Sequence, residues 1–365
     1  MEVAADIAQG GSDAGAQLPS AVGPLSAFVA DCLVRPAGDD DAGRGDLRTL
    51  LDDAERDAAE VEHDFAEDDL QLALYLCYEL HYSSFCDVDP GWEWDPLLIR
   101  LRRALEAAFL AALRRDIGDE GPVRPAEVGA RLFEIAAEGE GPSLSSFLER
   151  DGDLDHFREF VVQRSAYQLK EADPHTWAIP RLSGPPKAAL VEVQADEYGG
   201  GRPDRVHSVL FAKTMRALGL GDRPGAYLDL LPGHTLATVN LVSMFGLTRA
   251  HRGALVGHLA AFEIGSPTPN RRYANALRRH GLGEEATDFY DEHVVADSVH
   301  ENIAAYDLAE GLARQEPGLA GDILFGARCL VLLEERSAAE VLARWSRGRS
   351  SLRRPLPASS LTAGE

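Results

Sequence analysis

The 365-residue sequence has a formal net charge of −24, with 45% hydrophobic and 26% charged residues, and this composition is typical of a soluble globular protein. The acidic balance argues against nucleic acid and anionic membrane as partners, because both require a positively charged surface. The sequence has no apolar run of about 18 residues and no signal-peptide pattern. We therefore expect a cytoplasmic protein that does not enter a membrane.

The first 140 residues predict a tail followed by a helical region. Residues 1–45 resemble a mostly disordered tail with a short helix, and residues 46–140 form the N-terminal helical region. The apolar spacing predicts helices over 25–33, 46–67, 68–84, 96–115 and 126–137. The four cysteines lack CxxC spacing, which predicts free thiols rather than a zinc or iron–sulfur site.

Residues 141–346 also have helical periodicity, and residues 347–365 predict a disordered tail. One helix face is predicted to run from Phe157 to Glu171. Further helices are predicted over 207–218, 227–245 with a break at Pro232, 251–264, 270–280, 286–310 and 323–346. A short extended piece over 191–194 would stand alone, so the predicted class is all-α.

The stretch with the most chemical information is His293, Asp297 and His300. On a helix, these three side chains fall within an arc of roughly 60°. The intervening Val295 and Val299 suit a buried helix, and two buried imidazoles beside a carboxylate suit a metal ion. The alternative is a pair of solvated histidines beside an aspartate.

Four more residues extend this pattern. Glu197 and His207 flank a triple glycine and Pro203, which favour a bend that brings the two side chains together. Glu263 lies on an apolar helix face, where a carboxylate needs a positive partner. Glu171 ends the aromatic helix face. The candidate metal ligands are Glu171, Glu197, His207, Glu263, His293, Asp297 and His300.

Three segments resemble those of the haem-oxygenase-like di-iron oxidases, also described as iron-containing redox enzymes. They are residues 192–207, with Gln-Ala-Asp-Glu-Tyr-Gly-Gly-Gly, residues 76–82 and residues 92–96. The resemblance runs from about residue 46 to about residue 346. It implies an all-α, haem-oxygenase-like helical bundle preceded by an N-terminal helical dimerisation region. A family N-oxygenase carries an additional cupin domain, for which the segment after Ser346 is too short.

The resemblance implies that the seven residues bind two Fe ions, with Glu197 bridging them. The implied activity is that of a non-haem di-iron oxidase or oxygenase that activates O2 through a peroxo-di-iron(III) species. A small substrate would be oxidised, for example by N-oxygenation of an amine or amino acid. C–C cleavage or desaturation of an amino or fatty acid is the alternative reaction. The implied partners are an external electron donor and a second copy of the chain in a homodimer.

Arg164, Tyr167 and Tyr198 are candidates for roles beside the metal ligands. Arg164 could bind a substrate carboxylate, although neutralisation of a buried ligand carboxylate is the preferred interpretation. The two tyrosines could line a pocket, with core packing as the alternative. Two other classes stay open, a haem-binding protein of the same fold and a non-catalytic helical dimer. The sequence predicts no catalytic residue beyond the metal ligands.

Overall fold

The computed structural model describes residues 16–38, 51–52, 56, 66–118, 121–138 and 143–356. These ranges are largely helical, and their β pairing is limited to one isolated bridge between Ala16 and Phe85. The all-α prediction is confirmed over the described residues. The predicted helix over 46–67 and the outer parts of both predicted tails lie mostly outside these ranges. None of the described helices is both long enough and apolar enough to cross a bilayer.

The N-terminal helices match their predicted positions. The start of the helix at Pro96 shows why. The side chain of Asp95 accepts a hydrogen bond from the N–H of Leu97, and Pro96 occupies the first turn. The helices are α1 (Pro24–Leu33), α2 (Asp68–Glu79), α3 (Pro96–Ile117) and α4 (Val128–Ala137).

The second part of the chain supplies the helices that carry the candidate ligands. These are α5 (Leu144–Arg150), α6 (Leu154–Gln168), α7 (Asp173–Thr176), α8 (Gly184–Glu197), α9 (His207–Ala217), α10 (Gly233–Leu247), α11 (Arg252–Gly265), α12 (Pro267–Arg279), α13 (Glu284–Asn302), α14 (Gly311–Gln315) and α15 (Ala320–Trp345). Between α13 and α14, residues Ile303–Glu310 form a π-helix.

Helices α11 and α15 approach each other backbone to backbone. A Cβ atom on Gly257 would lie 1.7 Å from the carbonyl oxygen of Ile323, and one on Gly326 would lie 2.0 Å from that of Ala254. Only glycine fits at either position, because a side chain would force the two helices apart. This close pair forms a rigid wall, and α11 presents Glu263 from it.

The N-terminal helices pack directly on the second part. Helix α2 lies on α10, where Asn240 Nδ2 donates to both the backbone oxygen and Oε1 of Gln71 at 2.7 and 2.8 Å. Glu79 forms a buried ion pair with Lys170. Buried residues from both parts belong to one continuous hydrophobic core. The boundary predicted near residue 140 and the predicted dimerisation role stay predictions.

Two local predictions are wrong. Residues 191–194 are not extended, because they lie inside helix α8. Helix α6 ends at Gln168, so Glu171 follows the helix in a turn instead of closing its face. Pro174 lies further on, in the first turn of helix α7, where a proline is tolerated.

The predicted disorder from residue 347 is also wrong as far as residue 356. Leu352 is 1% exposed and Ser351 is equally buried. The Ser351 N–H and hydroxyl both donate to Oε2 of Glu159 at 2.7 Å, and Gln163 donates to the Ser351 hydroxyl oxygen at 2.8 Å. This segment folds back onto α6, because its apolar and polar groups find partners there.

Candidate metal centre

The seven predicted ligands converge from five parts of the fold. Glu171 follows α6, Glu197 ends α8, His207 begins α9, and Glu263 lies in α11. Helix α13 contributes the remaining three side chains, and all seven are at most 7% exposed. Ring centroids of His207 and His293 lie only 4.4 Å apart. Side chains separated by up to 129 positions therefore surround one interior point.

The ligand atoms form two overlapping groups. In the first, one atom from each of Glu171, Glu197, His207 and His293 lies within 4.8 Å of the others. In the second, Glu197, Glu263 and His300 satisfy the same distance. Asp297 is outside both groups, with its Oδ1 at 3.8 Å from Nδ1 of His300. Glu197 is the residue that the two groups have in common.

Many ligand atoms in this cluster lack hydrogen-bond partners. Among the described residues, the buried atoms without a hydrogen-bond partner include Glu171 Oε2, His293 Nε2, both carboxylate oxygens of Asp297, and His300 Nδ1. Glu197 Oε2 and His207 Nδ1 lie 2.9 Å apart but form no hydrogen bond of acceptable geometry. Unpaired buried polar atoms are costly, and native proteins contain few of them. Cations at the two groups of ligand atoms would satisfy the members of each group. The residues therefore fit a metal ion, and three imidazoles with four carboxylates suit iron better than zinc.

Outer hydrogen bonds orient two of the three histidines. Nδ1 of His293 donates to the Phe289 carbonyl at 2.7 Å, which leaves Nε2 to face Glu171 at 3.6 Å. Nε2 of His300 donates to Asp196 at 2.9 Å, which leaves Nδ1 to face Glu263 at 3.5 Å. Such bonds fix the ring and its tautomer for metal binding.

Without a metal, protons compensate the buried carboxylates. Burial opposes charge on His293 and His300, but Glu171 outweighs it at His293 and raises that pKa well above its usual value. The nearby carboxylates of Asp297 and Glu263, together with Asp196, likewise raise the pKa of His300 to about 11. Burial, with the charge of Asp297, raises the pKa of Glu263 to about 8. Protonated His293 and His300 thus offset the ionised Glu197 and Asp297, whose pKa values are lowered, and a bound cation would take the place of these protons.

A small cavity of about 10 Å³ lies inside the cluster and a large one lies beside it. The large cavity, hereafter the chamber, has a volume of about 370 Å³. Glu171, His293 and Phe262 line both cavities. A molecule in the chamber can therefore reach the first ligand group directly.

Arg164, Tyr167 and Tyr198, the candidates for roles beside the metal ligands, lie in three different environments. Arg164 lines the chamber, but its Nη1 and Nη2 bind Glu334 at 2.7 and 2.5 Å, so the prediction that it neutralises a ligand carboxylate is wrong. Tyr167 is buried and lines the small cavity. Tyr198 is 38% exposed, and its hydroxyl donates to Asp173 at 2.7 Å, away from both cavities.

Several side chains around the site were not predicted. Asp196 holds His300, and Gln168 donates to Oε1 of Glu171 at 3.1 Å. Only the contact between Gln168 and Glu171 could have been predicted from the sequence, because residues three apart can be neighbours on a helical turn. The hydroxyl of Tyr290, buried at the chamber wall, has no hydrogen-bond partner.

Comparison with known proteins supports the iron chemistry. Residues 158–335, which contain all seven candidate ligands, match the family model described as iron-containing redox enzyme. The chain is also 25% identical over 232 residues to a nitrosourea synthase of Streptomyces achromogenes subsp. streptozoticus. That match covers 62% of this chain and 49% of the relative, so the chain spans about half the length of the curated relative it matches. The resemblance to the family is thereby confirmed, and the matches support an oxidoreductase.

Proposed function

We propose that this chain is a non-haem di-iron oxidase or oxygenase that uses O2 to oxidise a small substrate held in the chamber. The observation that carries the proposal is the position of Glu197, which joins two groups of ligand atoms into one pair of sites. Four carboxylates also match the charge of two Fe(II) ions. Bound iron would supply the electrons that activate O2, and the protein would hold and orient the reactants.

The described residues can supply the metal ligands, their orientation, the exclusion of water and the substrate cavity. Carboxylates and imidazoles supply the ligands, and Asp196 and the Phe289 carbonyl hold two of the rings in place. Burial of the seven side chains would keep bulk water from bound ions. The chamber presents the substrate to the face formed by Glu171 and His293.

We further propose N-oxygenation of an amine or amino acid as the reaction. The name of the related nitrosourea synthase supports nitrogen chemistry. In such a reaction one oxygen atom of O2 enters the substrate and the other leaves as water, which consumes two electrons and two protons. An external donor would supply the electrons. C–C cleavage or desaturation would give different products from the same site.

The proposal includes a cytoplasmic homodimer. None of the four cysteines forms a disulfide, which supports a reducing compartment. Val34 and Trp94, at 70% and 58% exposed, are large apolar side chains left on the surface of the N-terminal part. They support a contact between copies through this region, which sedimentation analysis would test.

Iron counting and O2 uptake test the proposed function. Anaerobic Fe(II) titration should give two ions per chain, and admission of O2 should then give rapid uptake with a transient visible absorption. Products formed from amines and amino acids should gain one oxygen atom by mass spectrometry. A Soret band on addition of haem, or no response to either iron or haem, would favour the other two classes.

A further inference from the structure

Two buried histidines outside the ligand set bond to each other. Nε2 of His175, in α7, lies 3.1 Å from Nδ1 of His258, in α11, and their ring centroids are 5.2 Å apart. The two side chains are 3% and 2% exposed. Neither ring has a second hydrogen-bond partner among the described residues. The pair is therefore buried without the carboxylate or carbonyl partner that holds His293 and His300.

The two rings face different cavities. His175 lines the small cavity inside the metal centre, together with Glu197. His258 lines a separate cavity of about 20 Å³, which shares Arg164, Glu334 and other lining residues with the chamber. The pair thus joins the metal centre to the substrate side of the protein through a single hydrogen bond.

Aromatic packing separates the same two cavities. Tyr167 and Phe262 line both of them, and their rings meet edge to face with centroids 5.6 Å apart. The ring of Phe262 also stacks on His258, with an angle of 10° between the planes. Burial and the charge of Glu171 raise the hydroxyl pKa of Tyr167 well above its usual value, so this group stays protonated at neutral pH.

Both imidazoles are in the form that passes protons. Burial lowers the pKa of His258 to about 3, and burial together with His258 lowers the pKa of His175. A neutral imidazole has one N–H donor and one acceptor nitrogen. It can therefore accept a proton on one nitrogen and release the proton on the other.

We propose that His175 and His258 form a proton relay between the substrate side and the metal centre. The inference rests on the proposed oxidase function, which consumes two protons in each turnover. A proton enters on Nε2 of His258, the proton on its Nδ1 passes to Nε2 of His175, and the proton on Nδ1 of His175 enters the metal cavity. One proton enters, one leaves, and no electron moves. Each ring must then return to its starting tautomer before the next proton.

Nuclear magnetic resonance on the metal-free protein tests the relay without catalysis. With 15N-labelled histidine, a relay predicts that both rings exchange between tautomers, so their nitrogens give averaged shifts. A structural pair would give one fixed tautomer for each ring, and that result overturns the proposal. This measurement needs no variant and does not depend on the oxidase activity, so it separates failure of the relay from failure of the proposed function.

The variant His258→Gln tests the relay in the iron-loaded protein. The amide keeps a hydrogen bond to His175 but cannot relay a proton. We expect unchanged iron stoichiometry and melting temperature, a rate of O2 uptake about 100-fold lower, and a larger solvent deuterium isotope effect. The matched control is His251→Gln, since His251 is a half-buried histidine that packs on Phe245 and lines neither the metal cavity nor the chamber. A His258→Gln protein with the wild-type rate and isotope effect would show that the pair only packs.

Discussion

Oε2 of Glu197 lies 2.9 Å from Nδ1 of His207, although a turn of three consecutive glycines separates the two residues. All three glycines have positive φ. At Gly199 the turn is also crowded, because a Cβ atom would lie 2.7 Å from the backbone carbon of Arg205. The geometry of the metal centre therefore depends on this turn.

Gly199→Ala should disrupt the site more than Gly200→Ala. Both residues have positive φ, at +69° and +59°, so each substitution should cost about 1–2 kcal/mol of stability. A Cβ on Gly199 would overlap with backbone atoms of Arg205, whereas a Cβ on Gly200 would have no atom within 4 Å. Urea denaturation and iron counting on both variants measure the difference. Equal iron content in the two proteins would contradict the dependence on the turn.

Glu197→Gln should reduce iron binding more than Glu263→Gln. The first variant removes the carboxylate common to both ligand groups, and the second removes a ligand from one group. We expect less than one iron per chain for Glu197→Gln and about one for Glu263→Gln. Glu192→Gln is the control, because Glu192 is exposed on the same helix. Anaerobic titration gives the stoichiometries, and identical losses at both positions would argue against a bridge.

Metal affinity should rise with pH. A metal must displace the proton from His300, whose folded-state pKa is about 11 against an ordinary 6.5, and the proton from Glu263 below about pH 8. Each displaced proton should give about a tenfold gain in apparent affinity per pH unit. Chelator competition with Fe(II) at pH 6, 7 and 8 measures this slope.

Stability of the metal-free protein should have the opposite pH dependence. The raised pKa of His300 stabilises the fold fully below pH 6.5, and this contribution is lost as the pH rises toward 11. Thermal denaturation across the same range, with and without metal, provides the check. A metal-free protein that gains stability toward alkaline pH would contradict the charge state described for the cluster.

Replacement of one partner of the Arg164–Glu334 ion pair should lower the free energy of unfolding more than replacement of both partners. Glu334→Met leaves the partly buried guanidinium without its bidentate partner, as Arg164→Met leaves the carboxylate, and each should lower stability by about 1–3 kcal/mol. The double variant with Arg164→Met and Glu334→Met should recover much of this loss, since no charge then remains unpaired. Urea denaturation of the single and double variants completes the cycle. Additive losses would show that the two groups do not depend on each other.

Sequence spacing predicted the ligand helix well but not its surroundings. His293, Asp297 and His300 share one buried face, as their spacing requires. Val295 and Val299, expected to be buried, are 71% and 59% exposed, because they lie on the opposite side of the helix. The polar ligands occupy the interior face of the helix, which apolar residues normally fill. The rule that apolar side chains are buried therefore predicts the wrong exposure for these two valines.

Contacts between distant segments were not predictable from the sequence. Asp196 and His300 are 104 positions apart, and His175 and His258 are 83 positions apart. No periodicity relates such pairs, and the packing of whole helices brings them together. Glu171 lies among the converging side chains as predicted, but its local structure was not predicted, because the preceding helix ends at Gln168 and a turn follows.

The π-helix over Ile303–Glu310 has a consequence for how this chain can vary. Its i→i+5 bonding accommodates wider turns than the α-helix that precedes it. A π-turn holds one residue more than an α-turn, so this segment contains surplus length after His300. Deletion of one residue there would convert a π-turn to an α-turn, and the imidazole of His300 would keep its direction. Related sequences that keep the same chemistry should therefore tolerate a difference of one residue in the length of this interval.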